Sequence, residues 1–171
     1  MPNQLRDQVT RQIGEFVVDQ VLERVGQGKS PLQGTPTWRK LNPIYAEEQK
    51  AGDRTPNLDL TGEMLNGLTY KSDGNSIEVG FFDDAGSDVL GKAEGHNQHL
   101  GEGNLPLRRF IPNDNEEFYT PIRNGIKDII KRSGSRPDQI QFPTGSDTTT
   151  AITLNDILGA DLFGSLFNGE S

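Results

Sequence analysis

The sequence predicts an α+β fold: a small, mainly antiparallel sheet packed against a long N-terminal helix and a second helix near 121–133, with a long extended loop arm. Three observations lead there. Apolar residues recur at helical spacing from residue 3 to 25. An Asp-Gly turn joins two alternating segments between Thr69 and Phe82. A Thr-Pro pair opens a second helical stripe at Thr120.

The first helix rests on Leu5, Val9, Ile13, Phe16, Val17, Val21, Leu22 and Val25, spaced by three and four with Arg, Asp, Gln and Glu between them. Such a stripe needs a sheet or another helix to cover it. Gly26 and Gly28 end it. The loop that follows, GQGKSPLQGTPTWRKLN, holds the single tryptophan, and its large apolar area marks Trp38 as a core plug rather than a ligand platform. Asn42 then caps a short helix with Pro43 at its first position, running out near Gly52. Trp38, Leu41 and Tyr45 can share one apolar face. Leu60, Met64, Leu65 and Leu68 make a further helical face, with Asp59 or Thr61 as its cap and Gly62 weakening the first turn.

The hairpin turns at Ser72-Asp73-Gly74-Asn75. Ile77, Val79 and Phe81 alternate with Ser76, Glu78 and Gly80, so one face is buried and one is wet. From Asp83 to Asn104 the chain is polar and holds five glycines, which reads as a long loop of the kind that is functional or ordered by a partner. Leu105 to Ile111 can return as a strand, with Leu107, Arg109 and Ile111 on one side and Arg108 and Phe110 on the other. In the helix opened by Thr120 and Pro121, the stripe is Ile122, Ile126, Ile129 and Ile130. Lys127, Lys131 and Arg132 suit its C-terminal end, and Gly134 stops it.

Residues 1–134 are expected to form the domain, and 135–171 a C-terminal extension that can dock on a neighbouring subunit. The extension carries a short strand at Gln139 to Phe142. Thr153 then caps a last amphipathic piece with Ile157, Leu158, Leu162, Phe163, Leu166 and Phe167.

With 171 residues the chain fits one domain and a tail. At 32% hydrophobic residues and a mean hydropathy of −0.65, much of its length must be loop or partner-contacting surface. A net charge of −8 repels DNA and anionic lipid. The absence of cysteine removes disulfides, thiol catalysis and cysteine-based zinc sites. No apolar run has the length of a membrane span, and MPNQLRDQVT lacks a signal-peptide core, so folding in a cytoplasm is expected.

Chemistry concentrates in KAEGHNQHLGEGNLPLRRFI, Lys92 to Ile111, which holds both histidines and the one close pair of arginines. His96 and His99 are three apart, but no carboxylate stands in a zinc-enzyme spacing and two ligands do not make a site. Asp83, Asp84 and Asp88 miss the spacing of a calcium loop. There is no G-x-S-x-G elbow, Walker motif or G-x-G-x-x-G. Arg108 and Arg109 are a poor nucleic-acid footprint in so acidic a chain, and fit better as partners for carboxylates on an adjacent subunit. The expectation is therefore a protein that is not an enzyme and needs no cofactor or metal.

The ordered landmarks bear a family resemblance. Trp38, Leu41 and Tyr45 fit a W-x-x-L-x-x-x-Y segment. Thr61, Gly62 and Glu63 fit an L-x-x-TG-x-L segment, with Leu65 one place beyond its last leucine. Ala93 and His96 fit A-x-x-H-Q-x-G, with Asn97 where Gln is usual, and Pro106, Arg108 and Phe110 fit P-x-R-x-F. In this order they resemble the virion-morphogenesis and tail-completion (neck) proteins of tailed bacteriophages, over residues 3 to 132. The resemblance implies a structural virion protein at the head–tail junction, assembled in the host cytoplasm. Copies would form a ring around the DNA channel and join head or connector to tail. Its partners would be other copies of itself and adjacent connector, adaptor or tail proteins. DNA would pass without specific binding, and no membrane would be involved. The interface residues expected on this reading are His96, Arg108, Arg109 and Phe110, with Leu162, Phe163 and Phe167 as a docking arm. Two alternatives stand beside it: a metal-assisted hydrolase using His96, His99 and Asp88, and a monomeric module that binds a host protein.

Overall fold

The computed structural model describes residues 2–34, 37–58, 62–98, 106–134 and 136–154. Helix α1 (Pro2–Gly26) runs the length of the domain. Val9, Ile13, Val17, Val21 and Val25 are all buried along it. A spacing of four advances the buried line by roughly 40° per step, so it winds around the helix and meets different neighbours at the two ends. Those neighbours are strands β1 (Thr69–Ser72) and β2 (Ser76–Gly80) and the helix Thr120–Arg132. Two glycines allow the approach. A Cβ on Gly14 would overlap the Tyr70 ring of β1, and a Cβ on Gly125 would overlap the Phe16 ring of α1.

The sheet has four antiparallel strands in the order β1-β2-β4-β3, with β3 at Ile140–Gly145 and β4 at Thr149–Leu154. An α+β fold with an antiparallel sheet against a long N-terminal helix is thus what forms. The Asp-Gly turn joins β1 to β2 as expected, and Asp73 Oδ1 accepts from the amides of Asn75 and Ser76 at 2.9 and 2.7 Å. Ile77 pairs with Ile152 and Val79 with Thr150, placing the buried side chains of β2 and β4 on one face.

Helix α2 (Pro43–Lys50) starts as the sequence predicts, with Asn42 Oδ1 accepting from Ile44 N at 2.9 Å. Helix α3 (Glu63–Asn66) is one turn long. The caps expected at Asp59 and Thr61 lie outside the described residues. Helix α4 spans Ser87–Gln98, after a 3₁₀ turn at Asp83–Ala85. Helix α5 (Thr120–Arg132) buries Ile122, Ile126 and Ile130. Its N-cap position is Tyr119 rather than Thr120, and the Thr120 hydroxyl instead bonds Gln33 Oε1 at 2.9 Å. Trp38 sits in the core, as its area suggested.

Four expectations need correction. The loop arm expected over 83–104 is helical from Ser87 to Gln98, because Val89, Leu90 and Ala93 pack on the core and outweigh the two glycines, Gly91 and Gly95. Leu105 to Ile111 is not a strand where it is described: residues 106–111 join no ladder, and Phe110 and Ile111 are both buried instead of facing opposite ways. The extension expected from residue 135 contributes β3 and β4 to the central sheet, so residues 140–154 are integral to the domain. Thr153 lies in β4, opposite Ser76, and caps no helix.

Candidate functional site

The Lys92–Ile111 stretch is held together by one buried side chain. Asn97, at the end of α4, accepts from the amides of both Phe110 and Ile111 at 3.0 Å and donates to Ala93 O at 3.0 Å. With the buried oxygen saturated and a donor used, this amide does for the returning chain what a sheet neighbour would otherwise do. Two further bonds fix the same segment: Arg108 N donates to His96 O at 3.2 Å, and the buried Ser30 hydroxyl donates to Arg109 O at 2.8 Å.

This anchoring sorts the expected interface residues. Phe110 is fully buried, with its ring edge-on to Phe81 at 5.8 Å between centroids and 86° between planes. It is core, which corrects its assignment to an interface. Arg109 meets Glu116 of its own chain at 2.9 Å rather than waiting for a carboxylate on another subunit. His96 and Arg108 are half-buried and come together with Tyr45 and Leu41 along one groove. Leu162, Phe163 and Phe167 lie outside the described residues, as does His99. Asp88 stands in the first turn of α4, about 12 Å along the helix axis from His96 at 1.5 Å per residue, so the two do not share a site. Among the described residues no group of three His, Cys, Asp or Glu side chains is placed to hold a metal.

The groove encloses about 700 Å³. Sequence reasoning missed most of its lining. Arg39, Lys40 and Arg54 join Arg108 there, and no carboxylate among the described residues lines it. None of these four cations has an ion-pair partner among the described residues. The segments that carry them are locked to each other: Leu41 N donates to Arg54 O at 3.0 Å, and Arg54 Nε donates back to Leu41 O at 3.1 Å. Among the described residues the exposed large apolar side chains are Ile44, Tyr45 and Leu107. Tyr45 lines the groove, and the other two are chain neighbours of lining residues.

Burial pulls the Arg108 guanidinium below its ordinary range, with the Tyr45 phenol opposing. An arginine does not give up its proton at physiological pH, so the shift expresses a desolvated cation that an anion would stabilise. Burial, helped by the charge of Arg108, also lowers the proton affinity of His96. The unfolded chain therefore binds a proton at His96 before the folded one does. That contribution to stability is complete above the unfolded value of about 6.5 and is lost as pH falls from there towards the folded value. His96→Gln should flatten this dependence, measured as the urea midpoint at pH 7.5 and pH 5.5. Identical slopes for variant and parent would contradict it.

Among the described residues no helix is long and apolar enough to cross a membrane. No family model matches the chain, and neither a curated protein nor a solved structure does.

Proposed function

We propose that this chain is a structural assembly protein of the neck or tail-completion type. Copies form a ring around the DNA channel of a tailed phage and connect head or connector to tail. The observation that carries this reading is the convergence of the segments on which the resemblance rests. Leu41 and Tyr45, His96, and Pro106 and Arg108 come from three of the four segments, and they line one groove. Asn97 and Phe110, from the third and fourth, are hydrogen-bonded to each other, within two residues of the groove-lining His96 and Arg108 respectively. A surface that gathers unpaired cations and exposed apolar side chains, with no cluster of catalytic groups among the described residues, is suited to meeting another protein.

The acidity of the rest of the chain fits passage of DNA. With a net charge of −8, a wall built from many copies presents a repulsive field to phosphate. Light scattering on the purified chain tests the assembly reading. A closed oligomer of fixed mass, unchanged by chelator, is expected. A monomer that loses a bound metal in chelator would overturn the reading in favour of metal chemistry at the histidines.

A further inference from the structure

From the groove and the sequence that follows β4, we propose that the groove of Arg39, Lys40, Arg54 and Arg108 receives the C-terminal segment, residues 155–171, of a second copy of this chain. The contact deepens the ring reading by naming what joins one copy to the next, yet it stands or falls separately from it.

Charge complementarity is the first argument. The segment NDILGADLFGSLFNGES carries Asp156, Asp161 and Glu170 and no lysine or arginine. Among the described residues the groove offers four cations and no carboxylate. A partner that supplies carboxylates to the half-buried Arg108 guanidinium gains charge-assisted hydrogen bonds, with no ion pair among the described residues to displace. The second argument is apolar complementarity. Leu162, Phe163, Leu166 and Phe167 follow Asp161 closely, and the groove is lined by the exposed Tyr45, with the exposed Ile44 and Leu107 next in the chain to its lining residues. Acidic and apolar groups thus alternate on one side of the contact, as basic and apolar groups do on the other.

Position favours another copy's groove over the chain's own. Strand β4 ends at Leu154, whose amide donates to Asn75 O at 2.7 Å, and Asn75 in turn accepts from Arg6 near the start of α1. The groove lies at the opposite end of that helix. Trp38 N donates to Gly28 O, just past α1, and Gly28 abuts Pro56, which lines the adjoining part of the groove with Tyr45, His96 and Arg108. The helix separates the two ends by roughly 30 Å at 1.5 Å per residue. From Leu154 to Asp161 a fully stretched chain covers at most about 25 Å, so Asp156 and Asp161 fall short of the chain's own groove and only the residues beyond them could span the distance. A neighbouring copy can bring its groove to the segment without that strain. Donating a segment at one end and receiving one at the other is a heterologous contact, which makes rings when the rotation closes.

The test uses full-length protein. In one variant Leu162, Phe163 and Phe167 become Lys, which removes the apolar contacts and sets like charge against the groove so that it is left vacant, and a fluorescein-labelled peptide of residues 155–171 is titrated against it by anisotropy. Saturable binding is expected, weakened about tenfold by Arg108→Glu, in line with the cost of juxtaposing like charges. The exposed pair Arg39→Glu and Lys40→Glu serves as a second groove variant should Arg108→Glu fail to fold, and circular dichroism checks both. Mixing a groove variant with the tail variant should give a hybrid of one copy of each, since each retains the half the other lacks. No saturable binding below about 1 mM would overturn the proposal. So would peptide binding that ignores every groove substitution, or duplex DNA that displaces the peptide. If the tail variant binds peptide while the parent chain stays monomeric, the segment occupies its own groove, which overturns exchange between copies. A ring that survives the groove substitutions sinks this contact but leaves the assembly reading intact. Open filaments lost on those substitutions would do the reverse.

Discussion

Replacing Asn97 with leucine is expected to destabilise the protein by about 3–4 kcal/mol, because two buried amides lose their acceptor at once and each unsatisfied group costs roughly 1–3 kcal/mol. Leucine has the same branched shape and is bulkier, so overpacking at this buried site adds to the loss rather than offsetting it. What disappears is the oxygen that holds the Phe110 and Ile111 amides and the nitrogen that donates to Ala93 O. For a domain with a typical total of about 5–15 kcal/mol this is a large fraction. Urea denaturation gives the value directly, as a fall in midpoint with the slope unchanged. Asn124→Leu, at an exposed position of α5, serves as the control and should stay within roughly 0.5 kcal/mol of the parent. A loss below about 1 kcal/mol at Asn97 would mean that the returning chain is held by something other than this amide.

Phe110→Ala should cost about 3–5 kcal/mol, the usual range for emptying an aromatic site in a core. The ring is fully buried and meets Phe81 edge-to-face, so truncation leaves a cavity and removes an aromatic pair. The same measurement separates core from interface. If Phe110 served contacts between copies, its removal would leave the stability of the single chain near that of the parent and weaken association. The expected result is the opposite: a large loss of unfolding free energy at any protein concentration.

Elements with strong periodicity were legible in the sequence. The winding valine line of α1, the isoleucine stripe of α5, the Asp-Gly hairpin and the Asn42-Pro43 start of α2 each pair a local signal with the packing that the fold supplies. Helix α4 was not legible, because Gly91 and Gly95 cost about 1 kcal/mol each relative to alanine and broke the pattern, while the packing of Ala93 that repays them is tertiary. Strand β4 was readable in principle. Thr150, Ile152 and Leu154 are buried in strict alternation, but the neighbouring apolar run drew Thr153 into the role of a helix cap. Asn97 was noted as a departure from Gln in the resemblance, and its structural work depends on a partner segment thirteen residues away. The groove is the part least visible from sequence. Arg39, Lys40 and Arg54 look like ordinary solvated charges until the fold sets them beside Arg108, with no carboxylate of the described residues between.

The central claim is that this chain acts by assembling into a closed ring. Electron microscopy of the purified full-length protein, in negative stain and sampled over a range of concentrations, tests it most directly. The account predicts annular particles of uniform diameter with a central opening. Particles the size of a single chain at every concentration, binding one host protein in equal proportion, would contradict it and assign the groove to a monomeric module.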